Sequence, residues 1–182
     1  MNEATTGKKL KAIFFDLDGT VYAGDQEIPG ASEFIKRCHA KGIRCMYITN
    51  RSNRKPETVC EQLLEYGVPS APEDVVSTAH AAAYYVGNRS AYIIGEEGLE
   101  SAMLEKGAII TDKSPDYVVV SLDRNFNYDK LVVACALIGN GSKFIATNLD
   151  PRLKLANRLA PGTGAIVAAV ETGTGVKPIV LG

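Results

Sequence analysis

Lys11-Ala-Ile-Phe-Phe-Asp16-Leu17-Asp18-Gly19-Thr20 is the stretch on which the reading of the chain turns. Residues 12–15 are an apolar run too short for a helix, and such a run reads as a buried strand of a parallel sheet. This strand ends abruptly in two carboxylates and a glycine. In extended backbone, side chains two apart share a face, so Asp16 and Asp18 are expected on one side and Leu17 on the other. Carboxylates this close repel one another. A divalent cation with oxygen ligands relieves that repulsion, and the ion expected is Mg²⁺ with several waters retained. Gly19 lets the backbone turn sharply and approach a bound anion. The competing reading is an Asp-Gly turn whose acids are merely solvated.

A second polar strand end downstream favours the site. Ile43-Arg-Cys-Met-Tyr-Ile-Thr49-Asn50 reads as the next strand, and ligands of parallel α/β sheets bind beyond the carboxyl ends of the strands. Thr49 and Asn50 are therefore expected beside Asp16 and Asp18. A hydroxyl and an amide there can hydrogen-bond phosphate oxygens, and the helix starting near Pro56 aims free N–H groups at the same region. On their own, Thr49 and Asn50 would read as a capping or turn pair.

Around these strands the pattern is regular. Residues 21–30 are a polar connection able to fold as a flap, and residues 31–40 predict a helix that turns Phe34, Ile35 and Cys38 inward. A helix over 57–66, a strand over 75–78 and a helix over 79–86 follow. This order predicts right-handed crossovers and a parallel sheet with helices on both faces.

Gly87-Asn88-Arg89-Ser90 is the best boundary, because the pattern then restarts. Strands are expected at 91–94, 107–110, 117–120 and 143–146, and helices at 97–105, 128–138 and 164–170. The expected domains are a core of 8–87 plus 178–182 and a second α/β unit of 88–177. Asn148-Leu149-Asp150-Pro151 is a further polar strand end, so Asn148 and Asp150 are candidate substrate contacts, with an Asx turn before Pro151 as the alternative. Pro161-Gly-Thr-Gly164 leads into a helix without the spacing of a P-loop.

The net charge of -1 gives no electrostatic case for nucleic acid or an anionic membrane as partner. Without a signal peptide or an apolar run of about 18 residues, the protein is expected in the cytoplasm. Cys38, Cys45, Cys60 and Cys135 lack C-x-x-C spacing, so core thiols are expected rather than disulfides or a zinc site. Apolar faces of the second unit make a homodimer an expectation.

Phe15-Asp16-Leu17-Asp18-Gly19-Thr20, with Ile48-Thr49-Asn50 about thirty residues on, resembles the haloacid dehalogenase superfamily of phosphohydrolases. Ile93-Ile94-Gly95-Glu96-Glu97-Gly98-Leu99, Pro115 to Val120, Ala146 to Asp150 and Pro161 to Gly164 resemble its branch of p-nitrophenylphosphatase-like and nucleotide monophosphatase-like enzymes. The resemblance runs from Lys11 to Gly182. It implies an α/β fold, with a Rossmann-like parallel-sheet core and an inserted α/β cap, and a Mg²⁺-dependent phosphatase acting on a small phosphorylated metabolite. It makes Asp16 the nucleophile that becomes an aspartyl phosphate and Asp18 the acid and base. Thr49, Asn50 and the backbone of Leu17 and Gly19 would hold phosphoryl oxygens, with the metal on Asp16 and Asp18.

The same resemblance implies a lysine in a Gly-Lys-Pro element and a later acidic Gly-Asp element. Val180-Leu181-Gly182 corresponds to the approach to the first of these, and Lys177 precedes it, so Lys177 is expected to be a solvated residue. The core's last strands are expected to lie outside these residues. A phospho-ligand binder without turnover, a receiver-type domain and a phosphotransferase are the alternative functions.

Overall fold

A computed structural model describes residues 10–24, 26–155 and 158–182. The apolar run forms β1 (Ala12–Asp16), followed by an antiparallel flap of β2 (Tyr22–Ala23) and β3 (Gln26–Glu27). Next come α1 (Ala31–Ala40), β4 (Arg44–Thr49), α2 (Pro56–Glu65) and β5 (Val75–Ser77). α2 starts on proline, whose missing N–H costs nothing in a first helical turn. The three longer strands form a parallel sheet in the order β1-β4-β5, with Asp16 opposite Ile48 and Thr49 opposite Ser77.

Phe15, Leu17 and Tyr47 face Ile35 and Cys38 of α1 and Val59 and Leu63 of α2, all buried in one cluster. Each large side chain buried there contributes roughly 1.5–3 kcal/mol. The expectation of helices on both faces is corrected here. Two right-handed crossovers that step the same way across a sheet put both helices on one side, and among the described residues the order β1-β4-β5 does not reverse. The other face leaves Phe14, Ile48 and Val76 exposed. Within α1 the buried positions are Ser32, Ile35 and Cys38, while Phe34 stays 45% exposed, its ring set edge-on to Phe15.

α3 (Thr78–Val86) leads to a second sheet built from β6 (Ser90–Ile94), α4 (Glu97–Glu105), β7 (Ile109–Ile110), β8 (Tyr117–Val120), α5 (Tyr128–Gly139) and β9 (Lys143–Ala146). A hairpin of β10 (Arg152–Leu155) and β11 (Arg158–Pro161), α6 (Thr163–Thr174) and β12 (Ile179–Val180) complete the chain. The parallel order is β12-β9-β8-β6-β7, which reverses between β6 and β8. Accordingly both faces are covered: α3 and α4 pack on Ala91, Tyr117, Val119 and Ile145, and α5 and α6 on Ile94, Val118, Val120 and Phe144. All four residues of β8 are buried, which explains its unbroken apolar sequence.

Packing runs across the expected domain boundary. Ala79, Ala82, Ala83 and Val86 of α3 belong to the core of the five-stranded sheet, and Ile179 and Val180, expected with 8–87, pair with Ile145 and Ala146 of β9. Among the described residues all four cysteines are free, with Cys38 and Cys45 buried, and no helix is long and apolar enough to cross a membrane.

Candidate active site

The carboxyl ends of both sheets converge on one gap. Leu17 is fully buried, and its carbonyl accepts the N–H groups of Thr20, Val21 and Tyr22 at 3.2, 3.0 and 3.2 Å. That tight loop, with Gly19 at φ 90°, leaves Asp16 and Asp18 exposed on either side of Leu17. Both carboxylates line a cleft of about 600 Å³, together with Gly19, Asn50, Arg51, Asn148 and Asp150.

Burial raises the Asp16 carboxyl above the usual carboxylate range; repulsion from Asp18 and Asp150 adds to this, while the Leu17 N–H and the Thr20 hydroxyl oppose it. Asp18 is instead paired: the Arg51 guanidinium sits 2.6 Å from its Oδ1.

Thr49 ends β4 almost buried, and its hydroxyl accepts the Arg51 N–H at 3.0 Å. Its own proton remains to be donated elsewhere. The Asn50 carbonyl accepts from Ser52 N–H, Thr78 Oγ1 and Asn148 Nδ2 at 2.9, 3.0 and 2.9 Å, and the Asn50 amide donates to Asp150 Oδ2 at 3.1 Å. Three fully buried hydroxyls join the 50–53 loop to the second sheet, Ser52 bonding to Ser121 and, at 3.3 Å, to Thr147. Buried hydroxyls that satisfy one another fix the loop's register against β8 and β9.

Asp16, Asp18, Asn50 and Asp150 thus come together, while Thr49 lies behind Asn50 at the end of β4 and does not line the cleft. Asn148 does not share Asp150's exposure: it is 2% exposed, with Nδ2 on the Asn50 carbonyl and Oδ1 accepting the Asp150 N–H at 3.0 Å. It positions the loop, as the Asx-turn alternative anticipated. Gly19 lines the cleft, but its N–H donates to the Tyr22 carbonyl at 2.7 Å, and the Leu17 N–H serves the Asp16 carboxylate.

Sequence reasoning missed Arg51 and the β10–β11 hairpin, which brings Arg152 and Leu153 to the cleft. The signal for Arg51 was its place two residues beyond the end of β4. The alternating leucines of Arg152-Leu-Lys-Leu marked the hairpin.

A metal can be accommodated by this donor set. Mg²⁺ takes oxygen ligands and keeps several waters, so one or two carboxylates suffice, and Asp16 lies where negative charge is already unfavourable. Among the described residues no group of three acidic, histidine or cysteine side chains forms a cage.

Residues 13–109 match the family model described as haloacid dehalogenase-like hydrolase. The acid sugar phosphatase of Staphylococcus aureus is 42% identical over 180 residues, covering 96% of this chain and 70% of that protein. A putative p-nitrophenyl phosphatase from Bacillus subtilis superposes with a TM-score of 0.89 at 36% identity, covering 96% of this chain and 70% of that one. The glycerol phosphate phosphatase of Mycobacterium tuberculosis, solved in complex with magnesium, gives 0.87 at 32% identity, over 94% and 54% of the two chains. With Asp16 and Asp18 at the tip of the first strand and Thr49 at the tip of the second, the chain belongs to the haloacid dehalogenase-like hydrolases.

Proposed function

We propose that the chain is a phosphoric monoester hydrolase acting on a small phosphorylated metabolite through an aspartyl-phosphate intermediate. The observation that carries this reading is that Asp16, exposed and without an ion-pair partner among the described residues, lines one cleft with Asp18 at the tip of β1. Its relatives' names, acid sugar phosphatase and p-nitrophenyl phosphatase, support the same class.

In this reading an Asp16 carboxylate oxygen attacks phosphorus, and the bond from phosphorus to the ester oxygen breaks. Asp18, once released from Arg51 and protonated from solvent, gives that proton to the departing oxygen. It then takes a proton from water as that water attacks the aspartyl phosphate, returning Asp16 and releasing inorganic phosphate. Thr49 Oγ1 donates to a phosphoryl oxygen. Asp16 through its carboxylate and Asp18 through its carbonyl oxygen, which leaves its carboxyl free for the proton, would hold Mg²⁺, which when bound offsets repulsion between the carboxylates and the phosphate. Asp150, facing the cleft from the second unit, would meet the leaving group. A cytoplasmic place of action, a homodimer and a division into core and cap belong to the same proposal.

Hydrolysis of p-nitrophenyl phosphate with Mg²⁺ tests it. Turnover is expected and should vanish in Asp16→Asn; turnover that survives this substitution removes Asp16 as nucleophile.

A further inference from the structure

A second cleft, also of about 600 Å³, opens beside the first and shares Arg51, Leu122 and Leu153 with it. Its basic side chains differ in one respect. Arg51 is paired with Asp18, Lys55 with Glu97 and Arg124 with Glu96. Arg54 has no carboxylate within ion-pair distance among the described residues; its Nη1 donates to the neutral Gln62 Oε1 at 2.6 Å.

That guanidinium is held in place. Gln62 Nε2 donates to Tyr66 Oη at 3.2 Å and to the Gly24 carbonyl of the flap at 3.4 Å, which leaves Oε1 facing Arg54. The backbone is fixed as well: a Cβ on Gly98, in the first turn of α4, would stand 2.7 Å from both Arg54 N and O. Burial strengthens the hold of the Tyr22 phenol on its proton, and the positive charges of Arg51 and Arg54 partly offset this. Glu61 and Glu65 reach the rim of this cleft from α2 but are exposed and so screened by solvent, whereas Arg54 is half-buried.

A pre-positioned, half-buried guanidinium with only a neutral partner is suited to an oxyanion, which it can bind through two parallel N–H donors. We propose that the second cleft receives the leaving-group half of the phosphomonoester and that Arg54 binds a second oxyanion there, a carboxylate or a second phosphate. The proposal rests on the reading of the Asp16 cleft as the phosphoryl site.

Calorimetric titration of the Asp16→Asn protein with Mg²⁺, in which the ligands are not consumed, tests it through two matched pairs: 3-phosphoglycerate against glycerol 3-phosphate, and fructose 1,6-bisphosphate against fructose 6-phosphate. In at least one pair the member with the second oxyanion should bind about tenfold more tightly, and which pair does so identifies the anion. Arg54→Gln should bring that ratio to within about twofold of one, and Arg54→Lys should keep part of it. Equal affinities within both pairs, or an equal loss for both members in Arg54→Gln, would overturn the assignment. If glycerol 3-phosphate and fructose 6-phosphate bind while neither analogue with a second oxyanion binds better, Arg54 alone loses its role. If neither these ligands nor inorganic phosphate binds, the phosphoryl-site reading fails together with it.

Discussion

The Arg51 guanidinium lies 2.6 Å from Asp18 Oδ1, joining the loop after β4 to the acid that follows β1. The side chains are 18% and 36% exposed, so the pair is neither fully screened nor fully desolvated. A double-mutant cycle with Asp18→Asn and Arg51→Gln should give a coupling on the order of 1 kcal/mol in urea unfolding, shrinking as salt is raised. Coupling indistinguishable from zero at low salt would mean that the contact contributes nothing in solution.

Asp16 should be a source of instability that neutralisation removes. Burial, with help from Asp18 and Asp150, raises its folded pKa above 3.8, so between 3.8 and the raised value the folded chain binds more protons than the unfolded one. Stability therefore falls as pH rises through that window, and the full penalty is present at neutral pH. Asp16→Asn should raise the urea midpoint at pH 7, with the gain fading as pH drops through the window. Added Mg²⁺ should narrow the difference at pH 7, and EDTA should restore it. A lower midpoint for Asp16→Asn at pH 7 without metal would contradict the repulsion described.

Much of this geometry could be read from residue order, because it follows from local rules. The period of two places Asp16 and Asp18 together around Leu17, and the strand-end rule brings Asn50 to them. Arg51 was hidden because its direction depends on a turn closed by Ser52 N–H on the Asn50 carbonyl and Arg51 N–H on Thr49 Oγ1. The burial of Asn148 was hidden for a different reason: its partner, the Asn50 carbonyl, is remote in sequence. Phe14 looked like core because it sits in an apolar run, yet among the described residues both helices packed on this sheet lie on its other face.

His80 should make the fold sensitive to mild acid. The Ser77 N–H, which can only donate, points at His80 Nδ1 at 3.1 Å, so the proton of the neutral ring is on Nε2. Burial lowers its pKa below 6.5, partly offset by Glu105 and Glu57. Below 6.5 the unfolded chain takes up the proton first, so this contribution is complete above 6.5 and is lost as pH falls toward the lowered folded value. The wild type should lose more stability than His80→Gln between pH 7.5 and 5.5, by thermal melting. Parallel losses in the two proteins would show that the ring titrates normally.

Removal of the Ser52 hydroxyl should loosen the junction between the two sheets. Ser52, Ser121 and Thr147 are each fully buried, so Ser52→Ala leaves two hydroxyls without a partner they had before. An unsatisfied buried polar group costs about 1–3 kcal/mol, and the loss should appear in the urea midpoint. The triple change Ser52→Ala, Ser121→Ala, Thr147→Val removes donors and acceptors together and should recover part of that loss. A single substitution without effect would indicate that water reaches these hydroxyls.

Glycine to alanine should have opposite signs at two positions. At Gly164, in the first turn of α6, a Cβ would collide with the Leu149 carbonyl oxygen and stand 2.8 Å from its carbon, and backbone cannot move aside as a flexible side chain can. Gly164→Ala should therefore cost about 1–3 kcal/mol and displace Asp150, whose carbonyl accepts the Gly164 N–H at 2.9 Å. At Gly139, the last residue of α5, a Cβ would meet nothing within 4 Å. There alanine only restricts the unfolded chain and favours helix, so Gly139→Ala should gain about 0.4–1 kcal/mol. Urea unfolding of the two variants side by side checks both signs at once. A destabilised Gly139→Ala with a neutral Gly164→Ala would invert the packing described for the Asp150 loop.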